Sequence, residues 1–242
     1  CKDRNAEYAH IIWHKPGMIW GLDDARYRSQ IMGELFYLHT VQDICSRYKF
    51  KPLVDMSLAK GPTVAANLER LFGEHGAPLF LKRDYGSNLN HRDVEDLLAE
   101  MCVIPLNSPP HYPQYNGGIE RAQRELKSWL AERDPLNVRE AQAHAEMAAH
   151  DLNHQYRQSL SGKTSCSIFN NTPKTTYNKR QRKEIYDWIK EMSLCIIASE
   201  ERLPMHAAWR VAAEIWLRKH GFVTVVSRRK CYPFFQVKMS HN

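Results

Sequence analysis

Apolar positions along the chain recur at two periods, and the switches between them lay out an ordered set of elements. Met18-Ile19-Trp20-Gly21-Leu22-Asp23 is an apolar run ending in an acid and predicts a first strand. After a polar turn from Ser29 to Gly33, Glu34 to Val41 predicts a second. Arg47 to Val54 alternates at a two-residue period and reads as a half-exposed third strand, joined to the second by a hairpin turn at Asp43 to Ser46. From Pro62 to Phe72 the period becomes helical, with Val64, Leu68, Leu71 and Phe72 on one side and Pro62 in the first turn. Leu79-Phe80-Leu81 then stops at Asp84 and Gly86, the pattern of a buried strand delivering a carboxylate at its C-terminal edge. Asn90 caps a helix reaching about Glu100, with Val94, Leu97 and Leu98 inward. Cys102 to Leu106 is a fifth strand whose Pro105 suits a sheet edge. The proline-rich stretch from Ser108 to Gly118 carries no element. Beyond it Ile119, Ala122, Leu126, Trp129 and Leu130 share one face of a helix over Ile119 to Arg133, and another helix spans Val138 to Tyr156.

The flanks differ. Residues 1–14 are polar and aperiodic and read as a lead-in. After Asn171, Lys174, Lys179, Arg180, Arg182 and Lys183 form a basic cluster leading into an amphipathic helix through Trp188, Ile189, Met192 and Leu194. A second helix spans Met205 to His220, and Gly221 to Val237 reads as a β-hairpin with Arg228, Arg229 and Lys230 at its tip. The chain thus divides into a lead-in (1–14), an α/β block (15–170) and a small, mainly helical C-terminal region (171–242). Three antiparallel strands, then helix, strand, helix, strand and further helices, predict a mixed five-stranded sheet flanked by helices. A length of 242 residues accommodates one such core of ~150 residues and an appendage.

A net charge of +7 favours a polyanionic partner, although a basic protein with none also fits it. Six scattered cysteines without a Cys-x-x-Cys pair argue for a reducing compartment and against a zinc module or disulfide framework. No apolar run approaches the ~18 residues of a membrane span. The opening residues lack the apolar block of a signal peptide. A first residue of Cys suggests a fragment lacking an upstream DNA-recognition domain.

An acid closing a strand and another opening a distant helix can build an oxygen-ligand site for Mg²⁺ or Mn²⁺. Asp84 and Glu120 are such a pair with 35 residues between them, and Trp20-Gly21-Leu22-Asp23-Asp24 supplies a third acid. Strand neighbours point to opposite faces, so only one of Asp23 and Asp24 reaches a shared site. Any one acid at such a position is ordinarily a cap or a solvated residue. Asp43, in a turn, is structural. Asp93, Glu95, Asp96 and Glu100 form the wet side of a helix. His150 and His154, four apart, lack the glutamate of a His-Glu-x-x-His zinc motif and are explained by packing. The absence of a phosphate-binding glycine loop and of Gly-x-Ser-x-Gly argues against a nucleotide cofactor and a serine hydrolase.

The three acids, their order and the 35-residue gap resemble the DDE catalytic core of insertion-sequence transposases and retroviral integrases. Trp20-x-x-Asp23 is similar to that family's first-strand motif and selects Asp23 over Asp24. Val41-Gln42-Asp43-Ile44-Cys45-Ser46-Arg47 is similar to its V-x-D-x-x-S-R hairpin, and Ser108 to Arg121 to the loop and helix start carrying the last acid. Asn153-His154 and Ser159-Leu160-Ser161-Gly162-Lys163-Thr164 resemble the ending of the bacterial members. The resemblance covers about residues 13–170. It implies a ribonuclease-H-like fold in which Asp23, Asp84 and Glu120 are catalytic and hold two Mg²⁺ or Mn²⁺ ions. The implied chemistry is hydrolysis at an element end followed by attack of the freed 3′-hydroxyl on target DNA. It also implies DNA as partner, a homo-oligomer joining two DNA ends, and a cytoplasmic, nucleoid-associated bacterial setting. Arg124 and Lys127, on the Glu120 face, match its DNA-contacting basic position, and a solvated basic face is the other reading. Arg121 and Asn116 sit in the same motif, Asn116 either approaching DNA or capping the helix. Arg228, Arg229 and Lys230 extend the basic surface. Tyr85 replaces the family's usual Asn and Ala25 its common Thr. These departures keep two alternatives open: a catalytically silent DNA-binding or assembly protein, and a nuclease that cuts without joining.

Overall fold

The computed structural model describes residues 9–108, 117–199 and 203–227. They fall into two units, one of residues 15–184 and one drawn from the segments on either side, 1–14 and 185–242. In the second, Ala9–Trp13 (β1) pairs antiparallel with a strand at Val223–Ser227, Ile11 opposite Val225. The larger unit follows in order: strands Ile19–Arg28 (β2), Leu35–Asp43 (β3) and Leu53–Asp55 (β4), helix Gly61–His75 (α1), strand Phe80–Arg83 (β5), helix Arg92–Glu100 (α2) and strand Ile104–Asn107 (β6). Helices Gly117–Glu132 (α3) and Val138–His154 (α4), short strands Tyr156–Arg157 (β7) and Lys163–Thr164 (β8), and helix Ser165–Asn171 (α5) complete it. Helices Lys179–Ser199 (α6) and Met205–Lys219 (α7) lead to the last strand, β9. In the smaller unit Ile185, Ile189 and Ile196 of α6 and Ala208, Val211, Ala212 and Leu217 of α7 are buried.

The main sheet has the order β4-β3-β2-β5-β6. β2 pairs antiparallel with β3 and parallel with β5, and β6 is the parallel edge, where Pro105 costs no ladder bond to a further strand. The alternation of β2 sorts its side chains. Trp20 and Leu22 join Val64, Leu68 and Phe72 of α1, Val94 and Leu98 of α2 and Phe169 of α5. Ala25 and Tyr27 join Leu126, Trp129 and Leu130 of α3 and Ala145 and Ala148 of α4. Each large apolar side chain removed from water contributes about 1.5–3 kcal/mol, so both sheet faces are strongly specified. This is a mixed α/β ribonuclease-H-like core.

Several elements depart from the sequence reading. β2 continues to Arg28 because Ala25 and Tyr27 are buried and Arg26 and Arg28 exposed, an alternation that the adjacent Asp23 and Asp24 obscure. The third strand shrinks to three residues. Lys49 makes a single bridge to Gln42, and its N–H and C=O are taken by the side chain of Asn153 (both 2.8 Å), so no ladder extends from it. Asn90 is not the cap of α2. His91 is, its ring accepting from the Asp93 N–H, while Asn90 binds the loop before it. The lead-in contains β1, whose partner β9 is the first arm expected of the C-terminal hairpin. The second arm, the tip residues Arg228, Arg229 and Lys230, and Asn116 lie outside the described residues.

Candidate active site

Asp23 lies on β2 opposite Thr40, whose hydroxyl donates to its carbonyl (3.0 Å), and its Oδ1 accepts from the Asp24 N–H (2.8 Å). Burial and then the negative charge of Asp84 push its carboxyl up to about 7, with Asp24 and Glu120 adding to the repulsion. Asp24 points the other way. His39 Nδ1 lies 2.7 Å from its Oδ1, and Asn88 Nδ2 donates to its Oδ2 (2.7 Å), so both oxygens are engaged in structure.

Asp84 follows β5 directly, and its Oδ1 accepts the Gly86 N–H (2.8 Å). Two asparagines hold this turn. Asn90 Nδ2 donates to the carbonyls of Asp84 and Gly86 (2.8 Å each), and its Oδ1 accepts from Asn107 on β6 (3.0 Å). Asn107 in turn accepts from Arg83 Nε (3.1 Å), a fully buried side chain that also donates to the Leu89 carbonyl (2.7 Å) and to Glu95. Asn88 ties the far side of the turn to Asp24 and to the Ala59 carbonyl (3.0 Å). The role of Asn90 was not foreseen, since an Asn beside a helix start reads as a cap.

Glu120 stands exposed in the first turn of α3. The helix reaches the sheet because Gly21 has no side chain. A Cβ there would fall 2.5 Å from Ile119 Cδ1 and 2.6 Å from Ile44 Cδ1. Farther along, Glu125 accepts from Arg157 Nη1 and Nη2 (2.8 and 2.9 Å) and from Lys49 Nζ (2.9 Å). Burial works to raise its pKa, but these hydrogen bonds and charges overcome it and hold the group down at about 2. Lys49 is itself lowered by burial, which offsets part of what the pair gains. The hairpin motif is structural in its acid: Asp43 accepts from Ser46 N–H and Oγ (2.7 and 2.5 Å) and from the Gly17 N–H (2.8 Å).

No family model matches the chain. Over 117 residues it is 32% identical to the Pol-related polyprotein of mouse intracisternal A-particle MIA14, an alignment covering 48% of this chain and 13% of that polyprotein. The catalytic core domain of HTLV-2 integrase, solved in complex with magnesium, superposes with a TM-score of 0.53 at 17% identity over 64% of this chain and 98% of that one. An intasome of simian T-cell lymphotropic virus in complex with the PP2A regulatory subunit B56 gamma gives 0.58 at 16% identity, covering 74% and 66%. The fold is that of a retroviral integrase catalytic core.

Within this integrase-core fold the three expected acids sit on β2, after β5 and at the start of α3, and their charges act on Asp23 together. Among the described residues no three His, Cys, Asp or Glu side chains are drawn close enough to hold a metal ion. In kind, the donors fit a hard divalent cation: they are carboxylate oxygens, and their mutual repulsion is what such a cation relieves. Arg121 and Arg124 are exposed and Lys127 half-buried on the same helix as Glu120. Ala25 is buried against α3 and α4, and Tyr85 is 44% exposed beside Asp84. No helix among the described residues is long and apolar enough to cross a membrane.

Proposed function

We propose that the chain contains the catalytic core of a DDE-type integrase or transposase, a polynucleotidyl transferase acting on DNA. The observation that carries this reading is the placement of the three acids on adjoining elements of an integrase-core fold: Asp23 on β2, Asp84 directly after its parallel neighbour β5, and Glu120 on the turn of α3 whose Ile119 lies against Gly21 of β2. Asp23, Asp84 and Glu120 would hold two Mg²⁺ or Mn²⁺ ions, and magnesium accompanies the HTLV-2 core. When bound, such ions activate the attacking oxygen and neutralise charge on the leaving one. The chain's own part is to bind and orient. Asp84 is fixed at the end of β5 by its turn, Asp23 by the β2–β3 ladder, and Glu120 by the seating of α3 on Gly21.

Water opens a phosphodiester at an element end, leaving a 3′-hydroxyl. That hydroxyl displaces a 3′-oxygen in target DNA, one phosphodiester forming as another breaks. Arg121, Arg124 and Lys127 of α3 contact the DNA backbone, and Asn116, Arg228, Arg229 and Lys230 extend that surface. The core takes residues 15–170, and the basic region 171–242 contacts DNA or a second copy, since two ends must be joined. The relatives found are retroviral, which favours a retroelement integrase. The insertion-sequence kind, and the nucleoid-associated setting that goes with it, rest on the Asn153 and Ser159–Thr164 words alone.

Cleavage and strand-transfer assays with Mg²⁺ or Mn²⁺ test the reading. Asp84→Asn and Glu120→Gln should each abolish both steps, by at least about a hundredfold, while DNA binding persists. Retained cleavage in either variant removes that residue from the site. Wild-type protein that binds DNA but neither cuts nor joins it is the silent assembly protein that Tyr85 and the ungathered carboxylates would suit.

A further inference from the structure

We infer that Arg47 and Arg121 form a phosphate-binding subsite that grips the DNA backbone next to the acidic site. The inference rests on the DNA-processing reading above and extends it to a residue outside α3. Three segments meet there. Arg47 lies in the turn between β3 and β4, and its Nη1 donates to Ser159 Oγ (2.6 Å) in the segment after α4. Lys49, two residues on from Arg47, and Arg157, two residues before Ser159, both bind Glu125 of α3. Arg121 stands one turn before Glu125 on the same helix face. Two cations therefore bind one carboxylate, and Arg47 and Arg121 belong to the segments that meet beside it.

That carboxylate is fully engaged by Lys49 and Arg157, at 2.8–2.9 Å. Among the described residues neither Arg47 nor Arg121 has an ion-pair partner; burial, and after it the charges of Arg121 and Arg157, lower Arg47, with Glu125 working against them. Cations gathered at a surface without an ion-pair partner suit an anion supplied from outside. Arg47 is also held in place. It has φ 62°, in the left-handed region that an arginine adopts only when its neighbours impose it. They do so here: Ser46 binds Asp43 through its N–H and hydroxyl, the Tyr48 N–H donates to Ser46 Oγ (3.2 Å), and the Asp43 N–H donates to the Tyr48 carbonyl (2.9 Å). The turn presents a pre-ordered guanidinium rather than a mobile one, which lowers the entropy lost on binding. A planar guanidinium pair suits phosphate oxygens. Because Arg121 adjoins Glu120, a strand lying over it runs beside the acid, which favours a continuous phosphodiester backbone over free phosphate.

Fluorescence anisotropy of the full chain with labelled duplex DNA, without divalent cation, tests this across roughly 50–200 mM salt. Arg47→Gln and Arg121→Gln should each lower affinity and reduce the slope of log K against log salt by about one, so that salt weakens binding about threefold less over that range. Arg47→Lys should keep the slope. An unchanged slope in Arg47→Gln, checked as folded by circular dichroism, overturns the proposal. If that variant does not fold, an unchanged slope in Arg121→Gln, on an exposed helix face, overturns it equally. Reduced binding of polyglutamate with unaltered binding of DNA also overturns it. Wild-type protein that fails to cut or join DNA while both Gln variants show the lower slope would sink the enzyme reading and leave the subsite standing.

Discussion

Asn90 shows how much of a site can depend on a residue that carries no charge. Its amide donates to the carbonyls of Asp84 and Gly86 and accepts from Asn107, so one side chain ties the turn that presents the second acid through Asn107 to the buried Arg83, beside the turn's own backbone bonds and Asn88. Asn90→Ala strips the side-chain donor from the Asp84 carbonyl, while the Gly86 carbonyl keeps the backbone N–H groups of Leu89 and Asn90, and should cost about 1–3 kcal/mol of stability. Strand transfer should fall further than that loss of folded protein explains. Asn90→Asp separates geometry from size, since it keeps the shape and the acceptor but cannot donate to either carbonyl. It should fail as the alanine variant does. Urea melts and strand-transfer rates in parallel give the answer, and an aspartate variant that melts and turns over like wild type would mean that the turn holds itself. Asp24 makes the complementary point. Of two adjacent acids, the one whose oxygens are both engaged, by His39 and Asn88, is the one the proposed site leaves out.

At the scale of elements, the approach of α3 to β2 is set by a missing side chain. Gly21→Ala puts a methyl within 2.5–2.6 Å of Ile119 and Ile44, and moving those side chains should cost about 1–3 kcal/mol. The larger effect should be on catalysis, because Ile119 precedes Glu120. Thermal melts and cleavage rates check this, and an alanine variant cleaving at the wild-type rate would show that α3 tolerates the shift. Which elements carry the acids was legible: the Leu79–Leu81 run and the face from Ile119 to Leu130 are local patterns, and local patterns survive in sequence. The pairing of β1 with β9 was not, since two strands some two hundred residues apart leave no periodic trace in either. The third strand misled because Arg47–Val54 alternates as a strand does, yet Asn153, distant in sequence, takes the backbone groups of Lys49 that a ladder would need. The Glu125 cluster escaped notice for a related reason. A lone glutamate in a helix reads as solvated until three segments are seen to meet on it.

For the whole molecule the buried acids oppose one another, and pH exposes the conflict. Glu125 is held at about 2 against an ordinary 4.5, so the stability it contributes is complete above 4.5 and is lost as pH falls toward 2. Asp23 at about 7 and Asp43 at about 6, against 3.8, have the opposite sign. Between 3.8 and those values the unfolded chain releases protons that the folded chain keeps, so stability declines as pH rises through that window. Burial is the first cause for both, and only Asp23 also feels the charges of Asp84 and Glu120. Without divalent cation the melting temperature should therefore be highest near pH 5 and lower by several degrees at pH 8. Mg²⁺ should raise it more at pH 8, where Asp23 is ionised and repelled by its neighbours, than at pH 5, where the ion must displace a proton. Asp23→Asn removes the repulsion and should make the alkaline decline shallower in the absence of Mg²⁺, leaving the part due to Asp43, while abolishing the Mg²⁺ effect. Asp43→Asn should leave the Mg²⁺ effect intact. Melts of the three proteins at both pH values, with and without Mg²⁺, decide it, and a Mg²⁺ shift equal at pH 5 and pH 8, or one surviving in Asp23→Asn, would place the cation elsewhere.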